Sequence, residues 1–476
     1  MLFSSPQQIN HLNSVRLSRP TSVQLSRNQT LIRDCVKARF PTIAENPFHI
    51  MLDAAPGGCG KSTMLKILRQ DVNAFFGTEN ACLVTAFTGG AAFNVGGNTI
   101  HSTLGISPKA GEEFKRMSDS MKTHLTNQLR DVKVLFIEEI SLVSVVLLTQ
   151  ASVHLQILRN DGRPFGGLSV MVFGDFMQLL PVQHPPVFGD FPPIMKARCE
   201  MLVENVWDKL WKLFTVFHLT RNKRVEMGRA ADMLREIRYT EISEETKEFL
   251  RKNCLLKNTF PKTIFEALDQ LQSENPDKEF VVLATKNATV NRLNICRIQN
   301  MEERKKFPVR YIKDDEVVLA KFHETTKRPH SMELAVGCKV MLNVTLKKEP
   351  GMYNGRVGKL LEIQDQFLKI QFDSQTIVDV PKLFFKNNEK SWTQYPIQPA
   401  EVITVHMSQG KTFDGVIFIS ENLFTGGLAY TALSRCRQLR LCRLTSLRTE
   451  EWLVPDGANE EYRRLKRRYL DMMITD

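Results

Sequence analysis

Ala55-Pro-Gly-Gly-Cys-Gly-Lys-Ser-Thr63 stands between the apolar run 48–52 and the helix pattern Met64-Leu-Lys-Ile-Leu68. Strand, glycine loop, helix is the context in which such a run binds phosphate. Glycines let the backbone curl until successive N–H groups point at phosphate oxygens. The N-terminus of the following helix adds positive potential. On this reading Gly57, Gly58, Cys59, Gly60, Lys61, Ser62 and Thr63 contact a nucleotide, with Lys61 on the β- and γ-phosphates and the Ser62 hydroxyl on Mg²⁺. The strict pattern opens on Gly, whereas Ala55 stands there in this chain. Cys59 is read as a small loop residue, with a redox-sensitive thiol as the other reading.

Working outward, short apolar runs alternate with helical patterns. Residues 48–52, Cys82–Ala86, 132–137 and 170–173 are continuous apolar or β-branched stretches, the texture of parallel strands covered on both faces. A second set follows at Thr215–Leu219, Phe280–Ala284, 402–405 and 416–419, so the expected fold class is α/β, with two parallel-sheet domains in tandem. Between 337 and 385 the pattern changes to short antiparallel strands with Gly and Asn turns, at Lys339–Leu342, 358–363, 367–372 and 376–380. That is a small β module inserted in the second domain. Residues 141–158 read as a buried or amphipathic helix, because six polar side chains interrupt an otherwise apolar stretch.

Two further segments carry chemistry. Val134-Leu-Phe-Ile-Glu-Glu-Ile-Ser141 places Glu138 and Glu139 at the end of an apolar strand, where ligands of such sheets sit. One carboxylate would position Mg²⁺ and the other would polarise the water that attacks the γ-phosphate. Phe173-Gly-Asp-Phe-Met-Gln178 ends another strand and places Gln178 as a γ-phosphate sensor.

Composition limits the alternatives. The chain has 476 residues, 42% hydrophobic and 24% charged, which excludes a chain disordered throughout. No run approaches the roughly 18 apolar residues of a membrane helix, so no membrane partner is expected. Nine scattered cysteines with no CxxC pair argue against a disulfide framework or zinc site and for a reducing compartment. The net charge of +12 suits a polyanionic partner. The first thirty-three residues carry Arg16, Arg19, Arg27 and Arg33 without an acid, and read as a frayed tail or a mitochondrial transit peptide. Residues 460–473 form a basic helix pattern, readable as a solvated face, a nuclear signal or a phosphate-contacting arm.

Taken in order, the segments resemble the motifs of superfamily 1 helicases, most closely the Pif1/RecD-like group. Leu25-Ser-Arg-Asn-Gln29 resembles the Q motif, and residues 55–63 resemble motif I. Thr85-Ala-Phe-Thr-Gly-Gly-Ala-Ala92 and Gly96-Gly-Asn-Thr-Ile-His-Ser102 resemble the two DNA-touching segments after it. Residues 136–141 resemble motif II, and Phe165-Gly-Gly167 with Gly174-Asp-Phe-Met-Gln-Leu-Leu-Pro-Val182 resembles motif III with its lead-in. Leu219-Thr-Arg-Asn-Lys-Arg224 resembles motif IV, Thr404-Val-His-Met-Ser-Gln-Gly-Lys-Thr-Phe-Asp414 motif V and Ala429-Tyr-Thr-Ala-Leu-Ser-Arg435 motif VI.

The resemblance implies an ATP-dependent DNA helicase or translocase that moves 5′ to 3′ on single-stranded DNA and unwinds duplex. It implies two RecA-like domains with an SH3-like insert. Their bounds would be a tail at 1–21, domain 1A at 22–214 with a 1B insertion at about 103–130, and domain 2A at 215–330 and 400–450. The 2B insert would be 331–399 and a basic C-terminal helix 451–476. It implies that Lys61, Glu139, Gln178, Arg224 and Arg435 are catalytic, the two arginines reaching the γ-phosphate from the second domain. Gln29 would read the adenine edge, Gly410 would join the nucleotide contacts, and Ser62 with Glu138 would hold Mg²⁺. Thr88, His101, Thr404, His406 and Ser408 match positions at or near the DNA strand, the two histidines being readable also as structural. The cofactors implied are ATP and Mg²⁺; the partners are single-stranded DNA and forked or tailed duplex, bound by a chain that is monomeric without DNA. The compartment implied is intracellular and nuclear, with mitochondrial or virus- or transposon-encoded action as alternatives. Glu138 stands where the family usually has Asp. That departure, with Ala55, leaves a second reading open: a DNA-binding homologue with weak ATPase.

Overall fold

In the computed structural model the described residues are 24–54, 59–107, 117–204, 206–207, 209–219, 228–308, 310–313, 316–319, 331–346, 349, 351–386 and 391–475. The N-terminal tail, the loop residues Ala55, Gly57 and Gly58, and Arg224 lie outside them. The chain forms two compact units. The first is Met1–Lys247 with Leu423–Gln438 and Arg448–Asp476; the second is Glu248–Asn422 with Leu439–Leu447.

The first unit is built on a six-stranded sheet. Its strands are β1 (His49–Ala54), β2 (Cys82–Ala86), β3 (Asn98–Thr99), β4 (Val134–Glu138), β5 (Ser169–Gly174) and β6 (Thr215–Leu219), in the order β3-β2-β4-β5-β1-β6. All pairings are parallel. β4 and β5 are buried at every position, as apolar runs covered on both faces require. Ile50, Leu52, Val134, Phe136, Met171 and Phe173 pack with Met64, Leu65 and Leu68 of helix α1 (Lys61–Phe76) into one core. Because β4, β5 and β1 are neighbours, their carboxyl ends stand side by side. Glu138 is level with Phe173, and Asp53 is level with Gly174. Strands are spaced by about 4.8 Å, so the ends of β1 and β4 are roughly 10 Å apart, close enough for one triphosphate to meet both.

Thr215–Leu219, expected to open the second domain, is instead the edge strand of the first sheet, where it runs parallel to β1 from Ile50↔Thr215 to Ala54↔Leu219. An apolar run carries no label saying which sheet it joins, and pairing rather than order along the chain decides it. The helix read over residues 141–158 is α2 (Val145–Arg159), buried along nearly its whole length. Its polar groups find partners inside the unit: the Phe165 amide donates to the Ser152 hydroxyl, and His154 Nδ1 lies 2.8 Å from the Leu104 carbonyl. Among the described residues no helix is long and apolar enough to cross a membrane.

Further helices of this unit include α3 (Arg229–Tyr239), α4 (Leu428–Leu433) and α5 (Ala458–Thr475). The segment carrying Arg435, expected in the second domain, clusters with the first unit. There the Leu179 amide donates to the Thr431 hydroxyl of α4. The basic C-terminal helix also packs here, burying Ala458, Glu461 and Leu465.

The second unit has a four-stranded parallel sheet of β7 (Phe280–Ala284), β8 (Val402–Thr404), β9 (Gly415–Phe418) and β10 (Arg443–Leu444), in the order β8-β7-β9-β10. The expected insert between β7 and β8 is present and antiparallel. Ile377–Pro381, Phe367–Gln371, Val357–Ile363, Lys339–Leu342 and Ile397–Pro399 form a five-stranded sheet in that order. The insert begins earlier than 331, because Arg304–Pro308 pairs with Ser331–Ala335. That strand reads Arg-Lys-Lys-Phe-Pro and offers no apolar alternation by which to find it.

Candidate active site

The phosphate loop enters α1 through Gly60, whose φ of +86° suits glycine. A side chain at this position would also meet Gln29 Nε2 at 2.9 Å. No side chain caps α1 among the described residues, and the N–H groups at such a helix start are donors suited to phosphate. Lys61 and Ser62 are the first two residues of this helix. The Ser62 hydroxyl lies 3.3 Å from Glu138 Oε1, which joins the end of β4 to the loop.

Glu138 and Glu139 are both buried. Among the described residues Glu138 Oε2 has no hydrogen-bond partner. Burial pushes the Glu138 carboxyl up to about 8; neighbouring Glu139 adds to the rise, while Lys61 and the Ser62 hydroxyl oppose it. Glu139 turns the chain at once, with φ +57°, into the tight turn Ile140–Leu142. For a non-glycine residue that backbone is strained by about 1–3 kcal/mol. Gly174 makes room for the turn, since a Cβ there would stand 2.6 Å from Ile140 Cγ2. The glycine that ends β5 is thus required by the turn that follows the two glutamates. Mg²⁺ prefers hard oxygen ligands and takes few of them from protein, leaving the rest to phosphate and water. A hydroxyl beside a buried carboxylate with one unpartnered oxygen fits that demand, and the longer side chain of Glu138 reaches Ser62 without strain on either partner.

A second carboxylate pair lies beside the first. Asp53, at the end of β1, and Asp175, just after β5, are both about 1% exposed. Every one of their four oxygens has a partner. Tyr462 of α5 lies 2.6 Å from Asp53 Oδ1, and His218 Nδ1 lies 2.9 Å from Asp53 Oδ2. Arg238 of α3 donates to Asp175 Oδ1 at 2.8 Å, as does the Met177 amide at 3.1 Å, and Tyr430 of α4 donates to Oδ2 at 2.8 Å. Burial works against the Asp175 carboxylate, but the Arg238 guanidinium outweighs it and holds the group below its ordinary range. The Arg238 guanidinium itself lies between the rings of Tyr239 and Tyr462, 4.9 Å from each.

Gln178 follows Asp175 in the same turn. It is 2% exposed and its Oε1 has no partner. Gln29 is also buried, but its amide is engaged: Oε1 accepts the Ser26 amide in a capping box at the helix Arg27–Lys37, and Nε2 donates to the Cys59 carbonyl at 3.4 Å. It ties that helix to the phosphate loop. The Cys59 thiol is pushed up to about 12 by burial, which removes the thiolate that redox chemistry needs. Thr63 lies in the first turn of α1, half-buried. Arg435 is buried, and its guanidinium donates within its own segment, to the Thr431 carbonyl and the Ser434 hydroxyl.

Of the DNA candidates, Thr88 caps the helix Gly89–Asn94, and His101 packs edge-on against Phe87 at 5.9 Å. In the second unit the Thr404 hydroxyl accepts the Met407 amide, and the fully buried Ser408 hydroxyl donates to the Val405 carbonyl. Burial lowers the pKa of both His101 and His406, which favours neutral rings. Gly410 follows Gln409, a buried amide with both polar atoms unpartnered. The Lys411 ammonium donates to the Gly355 carbonyl and is lowered to about 8 by burial.

Residues 24–248 match the family model of the PIF1-like helicases. Over that stretch the chain is similar to the PIF1-like helicases. Curated Pif1 helicases are its relatives. It is 25% identical to the ATP-dependent DNA helicase Pif1 of Bdellovibrio bacteriovorus, over 80% of this chain and 81% of that protein. It is also 25% identical to the PIF1 of Danio rerio, over 89% of this chain but 61% of that one. A Bacteroides Pif1 solved with single-stranded DNA superposes at TM-score 0.69 with 24% identity, covering 93% of this chain and 96% of that one. The Pif1 of Candida albicans superposes at 0.68 with 21% identity, covering 94% and 99%. These likenesses carry the fold: mixed α/β with parallel sheets. In the PIF1-like frame the motif residues were legible, whereas Asp53, Arg238, Tyr430 and Tyr462 were not. They lie up to 409 positions apart along the chain, and nothing in a local pattern brings a tyrosine of the last helix to the first strand.

Proposed function

We propose that this protein is an ATP-dependent DNA helicase that couples hydrolysis to 5′-to-3′ movement on single-stranded DNA and unwinds forked or tailed duplex. The observation that carries the reading is the convergence of Lys61, Ser62, Glu138, Glu139 and Gln178 at the neighbouring ends of β1, β4 and β5. In this reading α1 and Lys61 bind the β- and γ-phosphates. Glu139 takes a proton from the attacking water, and Gln178 senses the γ-phosphate through the N–H donors of its amide, its Oε1 being without a partner among the described residues. Ser62 and Glu138 would hold Mg²⁺, which supplies charge neutralisation on the phosphates when bound. Arg224 and Arg435 are the arginines assigned to the γ-phosphate, and Thr88, His101, Thr404 and His406 the groups assigned to the strand. The chain acts as a monomer before it meets DNA, and on nuclear or mitochondrial DNA if it follows its eukaryotic relatives.

The test is ATP hydrolysis with and without single-stranded DNA, followed by unwinding of 5′-tailed and 3′-tailed duplex. DNA-stimulated turnover with unwinding of the 5′-tailed substrate alone supports the proposal. DNA binding without turnover supports the second reading, a DNA-binding homologue with weak ATPase. One observation favours that second reading: the Arg435 guanidinium is bonded to its own segment.

A further inference from the structure

Of the Asp53–Asp175 cluster, Asp175 and Tyr430 fall in segments that resemble motifs III and VI, whereas Asp53, Arg238 and Tyr462 fall in none. Asp53 is the last residue but one of β1, the strand that runs into the phosphate loop. Asp175 and Phe176 begin the turn that holds Gln178. The Tyr462 hydroxyl touches both sides. It lies 2.6 Å from Asp53 Oδ1 and 3.2 Å from Asp175 Oδ1, and it accepts the Phe176 amide at 3.0 Å. The ring of Tyr462 is held by Arg238 on one side and lies 6.1 Å from Phe176. Its helix is seated by a neighbouring bond that does not involve the cluster: Trp211 Nε1 donates to Glu461 Oε1 at 2.7 Å.

From this geometry we infer that Tyr462, from the C-terminal helix, is a positioning residue for ATP hydrolysis, whose hydroxyl fixes the Gln178 turn relative to the strand that carries the phosphate loop. The inference rests on the ATP-hydrolysing reading above. A phenol fits the task. It donates one hydrogen bond and accepts another, so a single oxygen joins a carboxylate of β1 to a backbone amide of the sensor turn. The same turn is held from its other side by α4, through Tyr430 on Asp175 and the Thr431 hydroxyl on the Leu179 amide. Removing the Tyr462 hydroxyl loosens one edge of a turn whose other edge stays tied. It should therefore disturb alignment in the transition state more than nucleotide binding.

Tyr462→Phe keeps the ring and deletes the tie. We expect kcat to fall about tenfold with KM for ATP within about twofold, the pattern of an interaction made in the transition state. In a Gln178→Ala background the same substitution should cost less than about twofold more, because the group it positions is gone. Glu461→Ala, which removes the bond from Trp211 Nε1 to the helix and leaves the Trp211 ring on Phe176, should leave kcat unchanged. An unchanged kcat in Tyr462→Phe overturns the inference. So does a full, multiplicative loss in the Gln178→Ala background, or an equal loss in Glu461→Ala, since either makes the helix merely structural. Wild-type turnover, measured first, reports on the helicase reading by itself. Should the wild type prove inactive, amide hydrogen exchange over residues 175–179 still decides the matter. Protection there falls in Tyr462→Phe if the tie exists, and equal protection overturns it.

Discussion

Two carboxylate pairs stand at the carboxyl ends of neighbouring strands of one sheet, and they are opposites. Asp53 and Asp175 have a partner on every oxygen and share a buried guanidinium, two phenols and an imidazole. Glu138 and Glu139 are buried side by side with one distant hydroxyl and an unpartnered oxygen between them and neutrality. A buried charge without a partner is costly, and a protein keeps one only where a ligand will neutralise it. The saturated pair is therefore part of the scaffold, and the unsaturated pair is where the proposed Mg²⁺ and γ-phosphate would fit.

The difference can be broken in order of effect. Removing the charge of Glu139 should hit chemistry alone. Glu139→Gln is expected to cut DNA-stimulated ATP hydrolysis by roughly 10²–10⁴-fold, the range for loss of a general base, with the melting temperature held or raised. Removing the partner of the saturated pair should do the reverse. Arg238→Met leaves Asp175 buried and unpaired, and loss of one partner of a buried pair costs about 3–5 kcal/mol; thermal unfolding should show it directly.

Glu138→Gln sharpens the comparison through pH. The folded carboxyl is raised to about 8 from an ordinary 4.5, so the folded state binds the proton more tightly than the unfolded one. Stability from this group is full at low pH and lost as pH rises through about 8. In ligand-free protein the variant should match the wild type near pH 4.5 and melt higher at pH 8.5, by about 2–4 °C for each kcal/mol recovered. The smallest effect belongs to Gln29→Ala, which opens the capping box and the tie to Cys59. It should cost about 1 kcal/mol of stability, as lost caps do. Preference for ATP over GTP should fall as well if Gln29 reads adenine, because the bonds to Ser26 and Cys59 leave a second Nε2 hydrogen and a second Oε1 lone pair.

The legible part of this molecule was the local part. Gly60, Lys61, Ser62, Glu138, Glu139 and Gln178 sit on short strand-to-turn segments, where spacing alone says which side chains share the sheet edge. The antiparallel insert was legible for the same reason wherever apolar residues alternate, and it was missed at Arg304–Pro308, where lysines and arginine hide the strand. Partnership across long distances was not legible. Thr215–Leu219 has the texture of any parallel strand, and only its register with β1 assigns it to the first sheet. The tie from Tyr462 to Asp53 depends on where the last helix docks, which no pattern of period 2 or 3.6 encodes. Gln29 was legible as a residue and not as a role: its spacing from Ser26 makes a capping box whether or not an adenine is near.

The most direct measurement is thermal unfolding with and without magnesium and a non-hydrolysable ATP analogue, in wild type, Glu138→Gln and Arg238→Met. The account predicts a ligand-induced rise in the wild type whose magnesium-dependent part vanishes in Glu138→Gln. It predicts that Arg238→Met starts lower but gains the same rise. A full magnesium-dependent rise in Glu138→Gln, with none in Arg238→Met, would contradict it and make the saturated pair the binding site.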